Sequence, residues 1–303
     1  MTPKGPLIQS SIFRLTWPRH RPESTIMSEH LPTHNADGDP VVPLTEEQRY
    51  IFDTKGWLVF PGLIPEDELK PMREFYMRLE KDPESLPEHE RTSIAGPLLP
   101  TIDHPVVVGF MQEFVTQGYL AGEKCYGFRM ESSANYYRPH GSNNFRPHGG
   151  SGLLQAPINS HVYHMERGRA YAGLTRIVWE LNPVRKGLGG TKFLSGSHKT
   201  AFPIPKSAME DRHSPLWETY ECPAGSLVIF TEALSHTGDF WSDEDYDRLA
   251  IFRCYNSVGS KWHAWEPHPK LVESMYPLRQ TLFRPVHCEH NLVDGDRSYP
   301  SKQ

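Results

Sequence analysis

The sequence predicts a mainly β domain with flanking helices: an antiparallel β-sandwich or jelly roll carrying its helices on one side. Two observations lead there. Helical apolar spacings are confined to the region before residue 121. From residue 126 onward, short apolar or alternating runs recur at 126–137, 173–181, 191–194, 226–230 and 249–255, broken by Gly, Pro and Asn. Runs of that length and spacing are strands, and helices preceding strands pack as a separate layer. The chain has 303 residues, 37% hydrophobic and 11% aromatic, enough to bury a full core.

Residues 1–40 read as a disordered N-terminal extension, rich in Pro, Ser, Thr and His without apolar period. Its first 22 residues hold Lys4, Arg14, Arg19 and Arg21 and no acid. That resembles a weak transit peptide, or a dispensable tail ahead of Met27. Residues 41–303 read as a single domain. Thr45 is an N-cap followed by Glu46 and Glu47. Residues 56–62 (GWLVFPG) form a strand closed by Pro-Gly. Pro65 opens a second helix whose face is Leu69, Met72, Phe75, Tyr76 and Leu79. A loop over 80–100 precedes a third helix over 104–121. The polar tail from Arg279 onward is expected to wrap the surface.

The net charge of −5 carries no basic bias for a nucleic-acid polymer, and no apolar run reaches membrane-span length. Cys125, Cys222, Cys254 and Cys288 show no paired spacing. Reduced thiols in a cytoplasmic protein follow.

The chemistry centres on His148, in RPHGG, and His236, in TEALSHTG. Two histidines with a carboxylate on one face of a metal make a non-heme Fe(II) site with open positions for a 2-oxo acid and O2. Arg248, twelve residues after His236, is the planar, permanent cation that a distal carboxylate requires. The strand 226–230 leads to His236, and 248–252 returns after an acidic loop. Such a site normally has Asp or Glu two residues after the first histidine; here that residue is Gly150.

Residues 45 to about 258 resemble the phytanoyl-CoA dioxygenase-like group of Fe(II)/2-oxoglutarate enzymes. The resemblance rests on GWLVFPGLI at 56–64, GGTKFLSGSHK at 189–199, and PAGSLVIF at 223–230 followed by His236. It implies a double-stranded β-helix (jelly roll, cupin-like), iron, and oxidative decarboxylation of 2-oxoglutarate to succinate and CO2. It further implies His148 and His236 as iron ligands and Arg248 as the 2-oxoglutarate clamp. Asn135 and Phe145 fall where relatives contact 2-oxoglutarate. Trp179 falls where the group has a barrel Trp.

Gly150 departs from the group's His-x-Asp and leaves three readings. In a halogenase, chloride fills the vacated position beside Gly150, as in relatives with His-x-Gly. In an oxygenase, the carboxylate comes from elsewhere, with His164-Met-Glu166 as the other upstream His-x-acid pair. In a non-catalytic protein, the fold only binds a ligand. The halogenase reading is the leading expectation. The segment 151–168 is long enough to form a lid. His161, Tyr163, Arg167 and Arg169, with the aromatics of 261–265 (KWHAW), point to a small, anionic or nucleotide-like substrate.

Overall fold

The computed structural model describes residues 31–116, 118–149, 161–166, 168–288, 292–293 and 296–297. In chain order the elements are α1 (Glu46–Lys55), β1 (Trp57–Phe60), α2 (Glu66–Lys81), α3 (Pro105–Phe114), β2 (Phe128–Arg138), β3 (Tyr163–Glu166), β4 (Arg169–Ala172), β5 (Thr175–Glu180), β6 (Thr191–Phe193), α4 (Lys206–Glu210), β7 (Ser226–Thr231), β8 (His236–Gly238), β9 (Arg248–Ser257), α5 (Pro269–Glu273), α6 (Pro277–Gln280), and a short β10 (Leu292–Val293) and β11 (Asp296–Arg297).

α1 begins where Thr45 predicts. Thr45 and Gln48 cap each other's backbone N–H, and Gly56 closes the helix at φ +83°. That glycine cannot be replaced freely, because a Cβ there would lie 2.7 Å from His198 Nδ1. The third helix is shorter than the 104–121 expected. It stops at Phe114, and the β-branched pair Val115 and Thr116 with Gly118 does not propagate it. The 80–100 loop carries three 3₁₀ turns, the last running Gly96–Ile102. Residues 31–40, assigned to a disordered extension, instead dock on the domain: Asn35 Oδ1 accepts from the Asp37 and Asp39 amides, and Arg279 pairs with Asp37 and Asp103.

β1, β7, β5, β9 and β2 form one antiparallel sheet in that order. Its alternate residues feed two apolar layers. One side, with Trp179, Ile229, Ile251 and Tyr255, packs on α1–α3 and the 3₁₀ turns. The other, with Val178, Val228, Phe230 and Ala250, faces β6 and β8 through Phe193 and Trp241. β6 pairs with β8, and β8 is flanked on its other edge by the His148 segment. Antiparallel sheets with flanking helices are thus the observed class, and the space between the two sheets is where the functional side chains gather.

Candidate metal centre

His148 and His236 are adjacent backbone partners, each amide donating to the other's carbonyl at 2.9–3.1 Å. Their rings lie edge to face, with centroids 4.2 Å apart. Gly149 makes this pairing possible. It has φ +75°, and a Cβ there would stand 2.6 Å from the Leu234 carbonyl oxygen.

Each histidine places Nδ1 2.8 Å from a carbonyl oxygen two residues earlier, Arg146 for His148 and Leu234 for His236. A carbonyl only accepts, so each Nδ1 carries the proton. In the neutral ring this leaves the lone pair on Nε2, the tautomer that metals bind.

A carboxylate does reach the two histidines, that of Glu232. His148, Glu232 and His236 each offer a ligand atom, and these atoms lie within 4.8 Å of one another. Glu232 is four residues before His236, on the turn between β7 and β8, with Oε2 3.6 Å from His236 Nε2. Its other oxygen, Oε1, accepts from Arg176 Nε on β5. Burial would raise the Glu232 pKa, but Arg176 and then His236 bring it down to about 2. Burial lowers His236 to about 4 against the pull of Glu232, so the ring is neutral at neutral pH. Two imidazoles and one ionised carboxylate form a fitting donor set for a divalent ion with N/O preference.

A cavity of about 320 Å³ opens on this cluster, lined by His148, Gly149, His161, Leu174, Arg176, Glu232, Trp262 and His263. Its far wall is anchored by Glu131. That residue is the extra one at a β-bulge of β2, between Met130 opposite Tyr255 and Ser132 opposite Cys254. The bulge aims a fully buried carboxylate at the C-terminal segment. Glu131 accepts from the Trp262 amide at 3.1–3.2 Å and lies 3.0 Å from His263 Nδ1.

Several expected residues sit elsewhere. Arg248 is 6% exposed and belongs to a buried network. Its Nε lies 3.2 Å from both Glu180 oxygens, and its Nη2 donates to Glu180, Thr191 and Tyr220. Burial would lower its pKa, and Glu180 more than reverses this. A second carboxylate at Arg248 meets a charge already balanced. Asn135 is on the helix-facing side of β2 with Ser133, whose hydroxyl meets Ser93, and lines a separate surface hollow. It is across the sheet from the histidines. Phe145 packs edge-on against Trp217. Trp179 is fully buried on the helix side, its indole donating to the Thr101 carbonyl. Tyr163 donates to Asp53, and Arg169 to the Thr116 carbonyl. Tyr163 and Arg169 are therefore absent from the cavity wall, whereas His161 is on it. Glu166 is exposed on the β3–β4 hairpin and takes no part in the ligand cluster. Gly150, Arg167 and most of the expected lid lie outside the described residues.

Glu232 and Arg176 were missed by sequence reasoning, although both left a signal. Arg176 and Glu180 are charged residues four apart in an otherwise apolar strand, hence on one face. Glu232 sits in an apolar turn where an unpaired acid would be costly.

No family model matches the chain, and no curated protein matches it. Solved structures of HygX from Streptomyces hygroscopicus share its fold. The form with iron bound aligns with TM-score 0.58 at 22% identity, over 78% of this chain and 96% of HygX. The form with nickel and 2-oxoglutarate gives 0.57 at 22%, over 74% and 90%. The form with nickel, 2-oxoglutarate and hygromycin B gives 0.58 at 23%, over 77% and 96%. Among the described residues no helix is long and apolar enough to cross a membrane.

Proposed function

We propose that this protein is an Fe(II)/2-oxoglutarate-dependent oxygenase on a double-stranded β-helix, acting on a small molecule in the cavity beside His148. The observation that carries the reading is the convergence of His148, Glu232 and His236, with both Nδ1 protons tied to carbonyls. The fold shared with HygX, solved with iron and with 2-oxoglutarate, supports it. Iron with 2-oxoglutarate and O2 supplies oxidation of an unactivated C–H bond.

The chain's own residues do the rest. His148 and His236 provide imidazole nitrogen ligands from adjoining backbone segments. Glu232 provides the anionic ligand through Oε2, while Arg176 fixes Oε1. Trp262 and His263, held by Glu131, present an aromatic face and an imidazole for substrate. HygX binds hygromycin B on the same fold; a hydroxylated, ring-bearing substrate suits this wall better than a nucleotide's phosphates, because Arg176 is the one permanent cation among the described residues that line it.

The halogenase expectation depended on a coordination position emptied at Gly150. Glu232 brings a carboxylate to the histidines from the other side, which favours the oxygenase with a displaced ligand. The displaced ligand is Glu232 rather than Glu166. The test is an anaerobic titration with Fe(II) and 2-oxoglutarate, followed by the weak visible charge-transfer band of the chelate. The band is expected in wild type and absent in His236→Ala. No band in wild type, or an unchanged band in the variant, refutes the assignment.

A further inference from the structure

The expected co-substrate clamp, Arg248, is already neutralised by Glu180 and is not part of the cavity wall. The cavity nonetheless has a permanent cation. Arg176 lines it beside His148 and Glu232, and its side chain is 18% exposed. Nε donates to Glu232, while the terminal nitrogens Nη1 and Nη2 make no hydrogen bond among the described residues. They are the free end of a guanidinium fork, whose geometry matches a carboxylate held by two parallel bonds.

The side chain is well fixed. Arg176 is in mid-sheet, opposite Phe230 on β7 and Cys254 on β9. Its guanidinium carbon lies 5.9 Å from the Phe252 ring centroid. A binding group on a central strand keeps its position better than one on a loop. The charge balance also changes with the state of the site. Without metal, Glu232 compensates Arg176. With a divalent ion on Oε2, Glu232 is shared between two cations, and the guanidinium has charge to spare for an anion.

We infer that Arg176 is the anion-binding residue of this cavity, gripping the metal-side carboxylate of a 2-oxo acid. The inference rests on the metal reading above and assigns the acid end that reading left without a partner. It also separates two carboxylate positions: Arg176 serves the one common to every 2-oxo acid, whereas only a second carboxylate could involve Arg248.

The experiment uses the Co(II)-loaded full-length protein under anaerobic conditions, titrated with 2-oxoglutarate and, separately, with pyruvate, which lacks the distal carboxylate. Binding is read from the visible Co(II) spectrum. Arg176→Met is expected to weaken both acids by a similar factor, on the order of 10–100-fold, the loss of charge-assisted hydrogen bonds. Arg176→Lys is expected to fall between Met and wild type. Unchanged affinities in Arg176→Met, a loss confined to 2-oxoglutarate, or no spectral response to either acid from wild type that has bound Co(II) overturns the inference. A second arm is independent of metal. Metal-free Glu232→Gln leaves the guanidinium uncompensated and is expected to bind oxalate at least about tenfold more tightly than metal-free wild type by calorimetry. The double variant Glu232→Gln/Arg176→Met, which removes both buried charges, is expected to lose that gain. Equal oxalate affinity in wild type and Glu232→Gln overturns the inference even if no metal binds. Failure of wild type to bind Co(II), with the oxalate result as expected, instead removes the metal reading and keeps Arg176 as an anion site.

Discussion

Replacing Glu232 by Gln keeps the side chain's size and removes its charge, so it separates the two jobs assigned to that residue. In the metal-free protein Glu232 is 4% exposed, in contact with Arg176 and 3.6 Å from His236 Nε2. Two opposite charges about 4 Å apart attract by about 4 kcal/mol at the effective dielectric of a partly wet site. Removing one member of a buried pair leaves the other uncompensated, at a cost of about 3–5 kcal/mol. For a domain of this size that is a fall in Tm of roughly 6–20 °C. The metal effect is separate and larger. Outer-shell partners alone change metal affinity by about 10–100-fold, so a lost anionic ligand is expected to exceed the upper end. The assays are thermal unfolding of the metal-free variant and a Co(II) titration by absorbance and calorimetry, with His236→Ala beside it. If Glu232→Gln binds Co(II) within twofold of wild type while His236→Ala does not bind, Glu232 is not a ligand. The ion-pair loss would then be its whole role.

Three further outcomes are expected. Gly149→Ala places a methyl 2.6 Å from the Leu234 carbonyl at a positive φ; it is expected to part His148 from His236 and weaken Co(II) binding by more than about tenfold, read in the same titration. Glu180→Gln strips the buried Arg248 of its partner; a loss of about 3–5 kcal/mol is expected from urea unfolding, and an unchanged midpoint would show the network to be dispensable. His198 is 1% exposed, and burial pushes its pKa down to about 4. The unfolded chain takes up that proton below about 6.5 while the folded one does not, so stability falls as pH drops from 6.5 towards 4. The loss between pH 7 and 5 is about 2 kcal/mol from this group, and His198→Gln is expected to flatten that part of the urea-derived stability profile.

The legible features were those encoded by local pattern. The strands at 126–137, 173–181, 226–230 and 249–255 and the capped α1 follow from apolar period and cap chemistry, and they appear where expected. The pairing of His148 with His236 was legible because each lies in a motif of its own. What failed was facing. A strand residue one place out of phase points across the sheet, so Asn135 and Trp179 went to the helix layer. Sequence reasoning had no view of the bulge at Glu131, which sets the phase of β2. Arg248 is a different case. Its position at the start of β9 was correct, but its partner Glu180 lies 68 residues earlier, and only the β5–β9 pairing brings the two together. Glu232 was hidden by the expectation that the carboxylate should follow the first histidine rather than precede the second.

The bulged Glu131 also alters where the domain ends. β9 finishes at Ser257 and completes the main sheet. Yet the carboxylate on β2 reaches past it to the backbone of Trp262 and the ring of His263, which close one side of the cavity. A chain cut just after the last strand of the sheet would keep His148 and His236 but lose the core residues Leu271, Met275 and Leu282, and it would take from Glu131 its donors at Trp262 and His263. The stretch that looks like a trailing appendage is thus a wall of the cavity beside His148, and a boundary drawn from the sheet alone would fall several residues too early.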